Sequence, residues 1–183
     1  MKKHKKYLLP IICVALFGEI YFYPFSSSFR FSAGIIVLNL IILILDGVSE
    51  LKMALLSGMA VFALRSTIDL FVEKGTLQYI YQQNFPSAMY YVLYGVLAVL
   101  LSIKKYKGNT LTGILMLSAI DSLSNIVEAL IRNGYVSFIM VQIIVLVGLV
   151  RSITAYIIYI IYKNQELFIQ KREHQKRYSQ LNL

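Results

Sequence analysis

The sequence contains no tryptophan, and cysteine occurs only once, at Cys13. A single cysteine excludes an intrachain disulfide and also a metal site built from cysteine thiolates. The two histidines, His4 and His174, lie near opposite ends of the chain, which argues against a histidine metal site. The sequence has no Walker loop, nucleophile elbow, His-Glu-x-x-His motif or EF-hand loop. We therefore expect a protein that is not an enzyme and that holds neither a metal ion nor a cofactor.

Charged residues are scarce. They make up 15% of the 183 residues, against about 25% in an average soluble domain, whereas hydrophobic residues make up 58%. The 18 Lys and Arg outnumber the 9 Asp and Glu, so the net charge is +9. Such a charge can indicate a nucleic-acid partner, but here the basic residues cluster beside the apolar runs. This pattern predicts an integral protein of the cell membrane, whose partner is the lipid bilayer and not a nucleic acid.

Six apolar runs have lengths near the roughly 20 residues that cross a bilayer. The predicted spans are Leu8–Tyr23, Phe31–Leu45, Leu51–Phe71, Ser87–Ile103, Leu111–Ile131 and Ser137–Tyr162. They predict an all-α fold, an integral membrane six-helix bundle. The aromatic segment Val72–Phe85 is expected to be a loop between spans three and four. It either covers an outward-facing pocket or forms an aromatic belt at the membrane interface.

The distribution of basic residues predicts the orientation. Of the 18, 13 fall on the side that holds both termini, three fall on the opposite side and two lie within spans. By the positive-inside rule, both termini are cytoplasmic. Residues 1–163 then form the six-span membrane domain, and residues 164–183 form a cytoplasmic linker helix.

The C-terminal segment has a weak heptad pattern. Its apolar and aromatic positions Leu167, His174, Tyr178 and Leu181 are separated by steps of 7, 4 and 3 residues. This spacing is typical of a coiled-coil seam and predicts a possible homodimer. A basic helix lying on the anionic inner leaflet and a solvated tail are the alternatives.

Charged side chains inside the apolar runs are the candidates for function, because a charge in hydrocarbon normally faces the bundle interior or a cavity. Arg65 and Asp69 are four residues apart, so a helix brings them onto one face as an internal pair. The alternative is that the two merely neutralise each other near the outer end of span three.

Span five carries the clearest polar stripe. Asp121, Asn125 and Glu128 are spaced so that a helix aligns them on one face, which must look into the bundle. Arg65 or Arg151 is the expected counter-charge, and otherwise Asp121 is neutral. We expect a structural role for Asp121 and ligand contact for Glu128. The full set of predicted ligand-binding residues is Arg30, Arg65, Asp69, Asn125, Glu128 and Arg151.

Two segments resemble a known family at the level of the fold. They are residues 29–34 (FRFSAG), which enter span two, and residues 54–58 (ALLSG), which lead to Arg65, Asp69 and Leu70 in span three. They are similar to the integral-membrane S components of energy-coupling-factor vitamin transporters. The resemblance implies six helices, both termini in the cytoplasm and an outward pocket capped by loops.

One feature departs from that family. S components commonly have a small-xxx-small pair on span one for docking to transporter subunits, whereas here Ala15 is followed four residues later by Glu19. The tail, residues 170–183, resembles the linker of bacterial sensor histidine kinases whose membrane input domains share this layout. We therefore expect an input module that senses a small ligand from the outside and acts on a cytoplasmic kinase domain. The alternatives are an S component that docks on transporter subunits and a structural membrane protein.

Overall fold

A computed structural model of the chain describes residues 5–22, 31–72 and 75–181. Short elements join the helices. A 3-10 turn, Ile103–Tyr106, follows the fourth helix, and two strands, β1 (Tyr21–Phe22) and β2 (Phe31–Ser32), pair antiparallel after the first. The helices are α1 (Lys5–Gly18), α2 (Gly34–Ile44), α3 (Glu50–Phe71), α4 (Leu77–Leu100), α5 (Thr110–Asn133) and α6 (Phe138–Leu181). The all-α prediction is confirmed.

Within the described ranges, three helical segments are long and apolar enough to cross a membrane. They are Glu50–Phe71, Thr110–Asn133 and the Phe138–Arg172 part of α6. Two further helices, α1 and α2, are apolar but shorter than the roughly 20 residues of a perpendicular crossing. These helices support the predicted membrane location. The six-span count and the orientation stay predictions.

Side-chain caps fix the starts of three helices. Ser49, Thr76 and Asn109 each accept a hydrogen bond from the backbone N–H three residues further on, before α3, α4 and α5 respectively. Such caps satisfy N–H groups that have no partner inside the helix. At the other end of α5, Gly134 adopts a left-handed conformation with φ of 75°, which glycine tolerates without steric cost.

Two predicted boundaries are wrong. The first span was expected to reach Tyr23, but α1 ends at Gly18 and the chain then enters β1. The prediction that Val72–Phe85 is a loop also fails, because α4 begins at Leu77 and contains Pro86. Proline usually interrupts a helix, but here the Thr76 cap starts the helix upstream of it.

The six helices close into a ring whose order differs from the chain order. α1 packs on α3, α3 on α4, α4 on α5, α5 on α6, α6 on α2, and α2 on α1. Fully buried side chains fill the ring, among them Val14, Leu38, Val61, Tyr94 and Ile120. Every helix therefore has two ring neighbours.

The start of α1, the α2–α3 loop and the α4–α5 connection lie together at one end of the ring. The joining hydrogen bonds run from Ser49 N–H to Tyr7 Oη (3.4 Å), from Lys107 Nζ to Asp46 Oδ1 (2.8 Å) and from Tyr156 Oη to the Tyr106 carbonyl (3.2 Å). The hydrogen bond from Lys107 lowers the pKa of the Asp46 carboxyl below its usual range. Beyond this end, every side chain of α6 from Ile160 to Arg172 is exposed, so α6 projects from the ring.

The contact between α1 and α2 depends on Gly34. A Cβ atom at this position would lie 2.8 Å from the Val14 carbonyl oxygen and 2.9 Å from the Gly18 Cα, and these backbone atoms cannot rotate away. We therefore expect Gly34→Ala to lower the free energy of unfolding by about 1–3 kcal/mol, as measured by denaturant titration in detergent micelles. The matched control is Gly108→Ala, because nothing lies within 4 Å of a Cβ there. Equal losses in the two variants would show that the helix crossing tolerates the methyl group.

Candidate polar cavity

A small polar cavity is formed by residues of β2 and of helices α2 to α6. Its volume is about 30 Å³, which is the space of about one water molecule. Sites that enclose a whole drug-sized molecule measure about 300–1,000 Å³. The lining residues are Ser32, Ile35, Arg65, Ser87, Tyr90, Tyr91, Asn125, Glu128 and Arg151.

The structure places most of the predicted ligand-binding residues together. Arg65, Asn125, Glu128 and Arg151 all line this one cavity, although they come from three different helices. Asp69 is on α3 but does not line it. Arg30 lies outside the described residues.

A buried ion pair lies beside the cavity, between α5 and α6. Arg151 Nη1 lies 3.0 Å from Asp121 Oδ1 and 3.3 Å from Oδ2, and the Asp121 side chain has no exposed surface. The same carboxylate accepts hydrogen bonds from Tyr90 Oη at 2.7 Å and from Asn125 Nδ2 at 2.6 Å. Arg151 was one of the two counter-charges expected for Asp121. The network ties α4, α5 and α6 together at one carboxylate.

A second cluster surrounds Glu128. Its Oε1 accepts hydrogen bonds from Ser87 Oγ at 2.8 Å and from Arg132 Nη2 at 3.0 Å. Arg132 also donates to Gln83 Oε1 at 3.1 Å. This cluster joins α4 to α5 near the Asn133 end of α5, and it leaves Oε2 of Glu128 without a hydrogen bond to any described residue.

The predicted internal pair between Arg65 and Asp69 is not formed. Arg65 instead donates from Nε to Glu19 Oε1 at 2.9 Å and from Nη2 to the Gly18 carbonyl at 2.8 Å. The C-terminal end of α1 presents carbonyl groups and a partial negative charge, which attract a cation. Asp69 is hydrogen-bonded by Asn84 Nδ2 at 2.7 Å.

Several lining residues were absent from the sequence-based site. Ser87, Tyr90 and Tyr91 line the cavity from α4, and Tyr94 donates from the same face of α4 to Asn39 Oδ1. Their helical spacing is visible in the sequence and could have shown that this face is buried. Arg132, which binds Glu128 beside the cavity, is one of the three basic residues predicted on the side opposite the termini.

The side chains that line the cavity carry both positive and negative charges. Two guanidinium groups and one carboxylate line it, together with hydroxyl groups and an amide. Within the described ranges, no three His, Cys, Asp or Glu side chains come close enough to hold a metal ion. The arrangement is therefore suited to holding a small polar group through charge and hydrogen bonds.

Comparison of the chain with protein-family models, with curated proteins and with solved structures found no match.

Proposed function

We propose that this chain is the membrane-embedded, ligand-sensing input module of a signal-transduction protein of the sensor histidine kinase type. It spans the membrane six times with both termini in the cytoplasm. A small ligand reaches the cavity from the outside. The resulting movement passes along α6 to a cytoplasmic kinase domain.

The observation that carries this proposal is the position of Arg151. The residue lines the cavity, forms the ion pair with Asp121 and belongs to α6, a helix of 44 residues. At 1.5 Å per residue, α6 is about 66 Å long, which is about twice the hydrocarbon thickness of a bilayer. A change at Arg151 is therefore connected through one continuous helix to the exposed segment beyond Ile160.

The surface of the ring supports its placement in lipid. Large apolar side chains point outward from α1, α5 and α6, including Leu9, Leu16, Leu115, Leu146 and Val150. Large apolar side chains exposed on several helices at once are what a lipid-facing surface requires, whereas soluble monomers rarely expose large apolar patches. The basic residues Lys104 and Lys107 lie at the ring end from which α6 projects, as expected for a cytoplasmic face.

The S-component alternative makes different demands on the structure. To enclose a whole vitamin under capping loops, an S component needs several hundred Å³, whereas this cavity measures about 30 Å³. Transport also does not require a helix that extends far beyond the bundle. Both features favour sensing over uptake. A homodimer formed through the projecting part of α6 agrees with the sensing proposal.

The relay is tested by measuring the position of α6 when the cavity is altered. In a Cys13→Ser background, spin labels at Lys52 and Asn164, both exposed, report the distance between the start of α3 and the projecting part of α6. We expect the charge-balanced double variant Asp121→Asn/Arg151→Met to shift or broaden this distance distribution, as measured by double electron–electron resonance in nanodiscs. Residue 164 is about 20 Å along the helix from residue 151, so the effect is not local.

The matched control is Val150→Met, which introduces the same side chain on the exposed side of α6, one residue away. It should leave the distance distribution unchanged. If the double variant and the control both match the parent protein, α6 does not respond to the cavity and the relay proposal is wrong.

A further inference from the structure

Arg65 has hydrogen-bonding capacity that the described residues do not use. A guanidinium group has five N–H donors, and Arg65 uses one on Nε and one on Nη2. The remaining three, including both on Nη1, have no acceptor among the described residues. Only 6% of the side chain is exposed. Arg65 lines the cavity, so an acceptor placed there would gain a charge-assisted hydrogen bond.

The groups left available on the cavity wall define what that acceptor is. The charges of Arg65, Arg151 and Glu128 are each balanced, by Glu19, Asp121 and Arg132 respectively, so the wall is close to neutral and a ligand meets chiefly the unused N–H donors of Arg65. A planar carboxylate matches the guanidinium fork, because its two oxygens accept two parallel N–H bonds. A phosphate group brings more negative charge than this nearly neutral wall balances.

Glu128 adds a second recognition element. Its Oε1 is occupied by Ser87 and Arg132, whereas Oε2 has no hydrogen bond to a described residue. An amino or hydroxyl group close to the ligand's carboxylate could therefore donate to Glu128. The small volume requires this group to lie within one or two bonds of the carboxylate.

We infer that the cavity binds the carboxylate of a small α-amino or α-hydroxy acid, with Arg65 binding the carboxylate and Glu128 accepting a hydrogen bond from the neighbouring amino or hydroxyl group. The remainder of the ligand extends through the open side of the cavity. This inference depends on the proposed function only in treating the cavity as the ligand site.

The test is a melting experiment on the full chain in nanodiscs, followed by circular dichroism at constant ionic strength. The added probes are acetate, glycolate, glycine, acetamide and inorganic phosphate, each up to about 50 mM. A ligand that binds only the folded state raises the melting temperature. We expect glycolate and glycine to raise it most and acetate less, while acetamide and phosphate leave it unchanged. An equal rise with acetamide, or a larger rise with phosphate, would overturn the carboxylate assignment.

Variants assign the effect to individual side chains. Arg65→Lys keeps a positive charge near the Gly18 carbonyl but removes the planar fork, and we expect it to weaken acetate binding at least tenfold. Glu128→Gln should reduce the preference for glycine over acetate and leave acetate binding intact. Arg172→Lys, on the exposed part of α6, makes the same substitution outside the cavity as a control and should behave as wild type. Wild-type binding by Arg65→Lys would exclude Arg65 as the carboxylate site.

The two proposals fail separately. If no carboxylate binds but the spin-label distance responds to the Asp121 and Arg151 substitutions, the relay stands and the ligand class is wrong. If glycine binds but the distance does not respond, the cavity is a binding site without a relay.

Discussion

Arg151→Met is expected to lower the free energy of unfolding by about 3–5 kcal/mol, because it leaves a buried carboxylate without its counter-charge. Asp121 has no exposed surface and lies 3.0 Å from the guanidinium. Hydrogen bonds from Tyr90 and Asn125 remain, but neither group is charged. The measurement is denaturant unfolding of the full chain in detergent micelles or nanodiscs.

The double variant Asp121→Asn/Arg151→Met should recover most of that loss. It removes both charges, and the amide that replaces the carboxylate can still accept the hydrogen bond from Tyr90. Lys107→Met is the matched control, since it breaks an ion pair with Asp46, whose side chain is 92% exposed. Surface pairs of this kind contribute little, so the control should unfold like the wild type. A double variant as unstable as Arg151→Met alone would mean that packing, and not the buried charge, causes the loss.

Cysteine labelling in intact cells is expected to be complete at one end of the ring and absent at the other. Lys105 lies in the connection between α4 and α5, Tyr135 lies between α5 and α6, and both side chains are exposed. In a Cys13→Ser background, Tyr135→Cys should react with a membrane-impermeant maleimide in intact cells. Lys105→Cys should react only after the cells are permeabilised, because we propose that the basic end of the ring faces the cytoplasm.

Labelling of Lys105→Cys in intact cells would reverse the orientation. Labelling of both variants in intact cells would mean that α5 does not cross the membrane, which would end the six-span proposal. A denatured sample of each variant, labelled to completion, confirms that each introduced thiol is reactive.

Helix boundaries were predicted well where residues close in the sequence determine them. The predicted span Leu111–Ile131 differs from α5 by a residue or two at each end, because Asn109 caps its start and Gly134 ends it. The start of α4 was predicted wrongly because it depends on a contact with a distant part of the chain. Polar residues before Pro86 suggested a loop, yet Asn84 is buried against Asp69 of α3. That contact exists only in the folded ring.

The cavity also has parts that follow from local spacing and parts that depend on contacts between distant residues. The stripe of Asp121, Asn125 and Glu128 follows from helical spacing alone. A counter-charge from Arg65 or Arg151 was one of the two expected ways to accommodate the buried acid, and Arg151 supplies it. The partner of Arg65 could not be predicted by spacing, because Glu19 is 46 residues away along the chain. Local periodicity favoured Asp69, whereas the end of α1 placed a carbonyl and a carboxylate beside the guanidinium.

The order of the helices in the ring has a consequence for biogenesis. α6 leaves the ribosome after the other five helices of the ring and packs between α2 and α5, both of which are made before it. Until α6 inserts, the ring is open and Asp121 has reached the bilayer without its arginine. If α5 spans the membrane as we propose, a nascent chain that stalls after α5 holds an acid in the bilayer without its counter-charge, which is energetically costly.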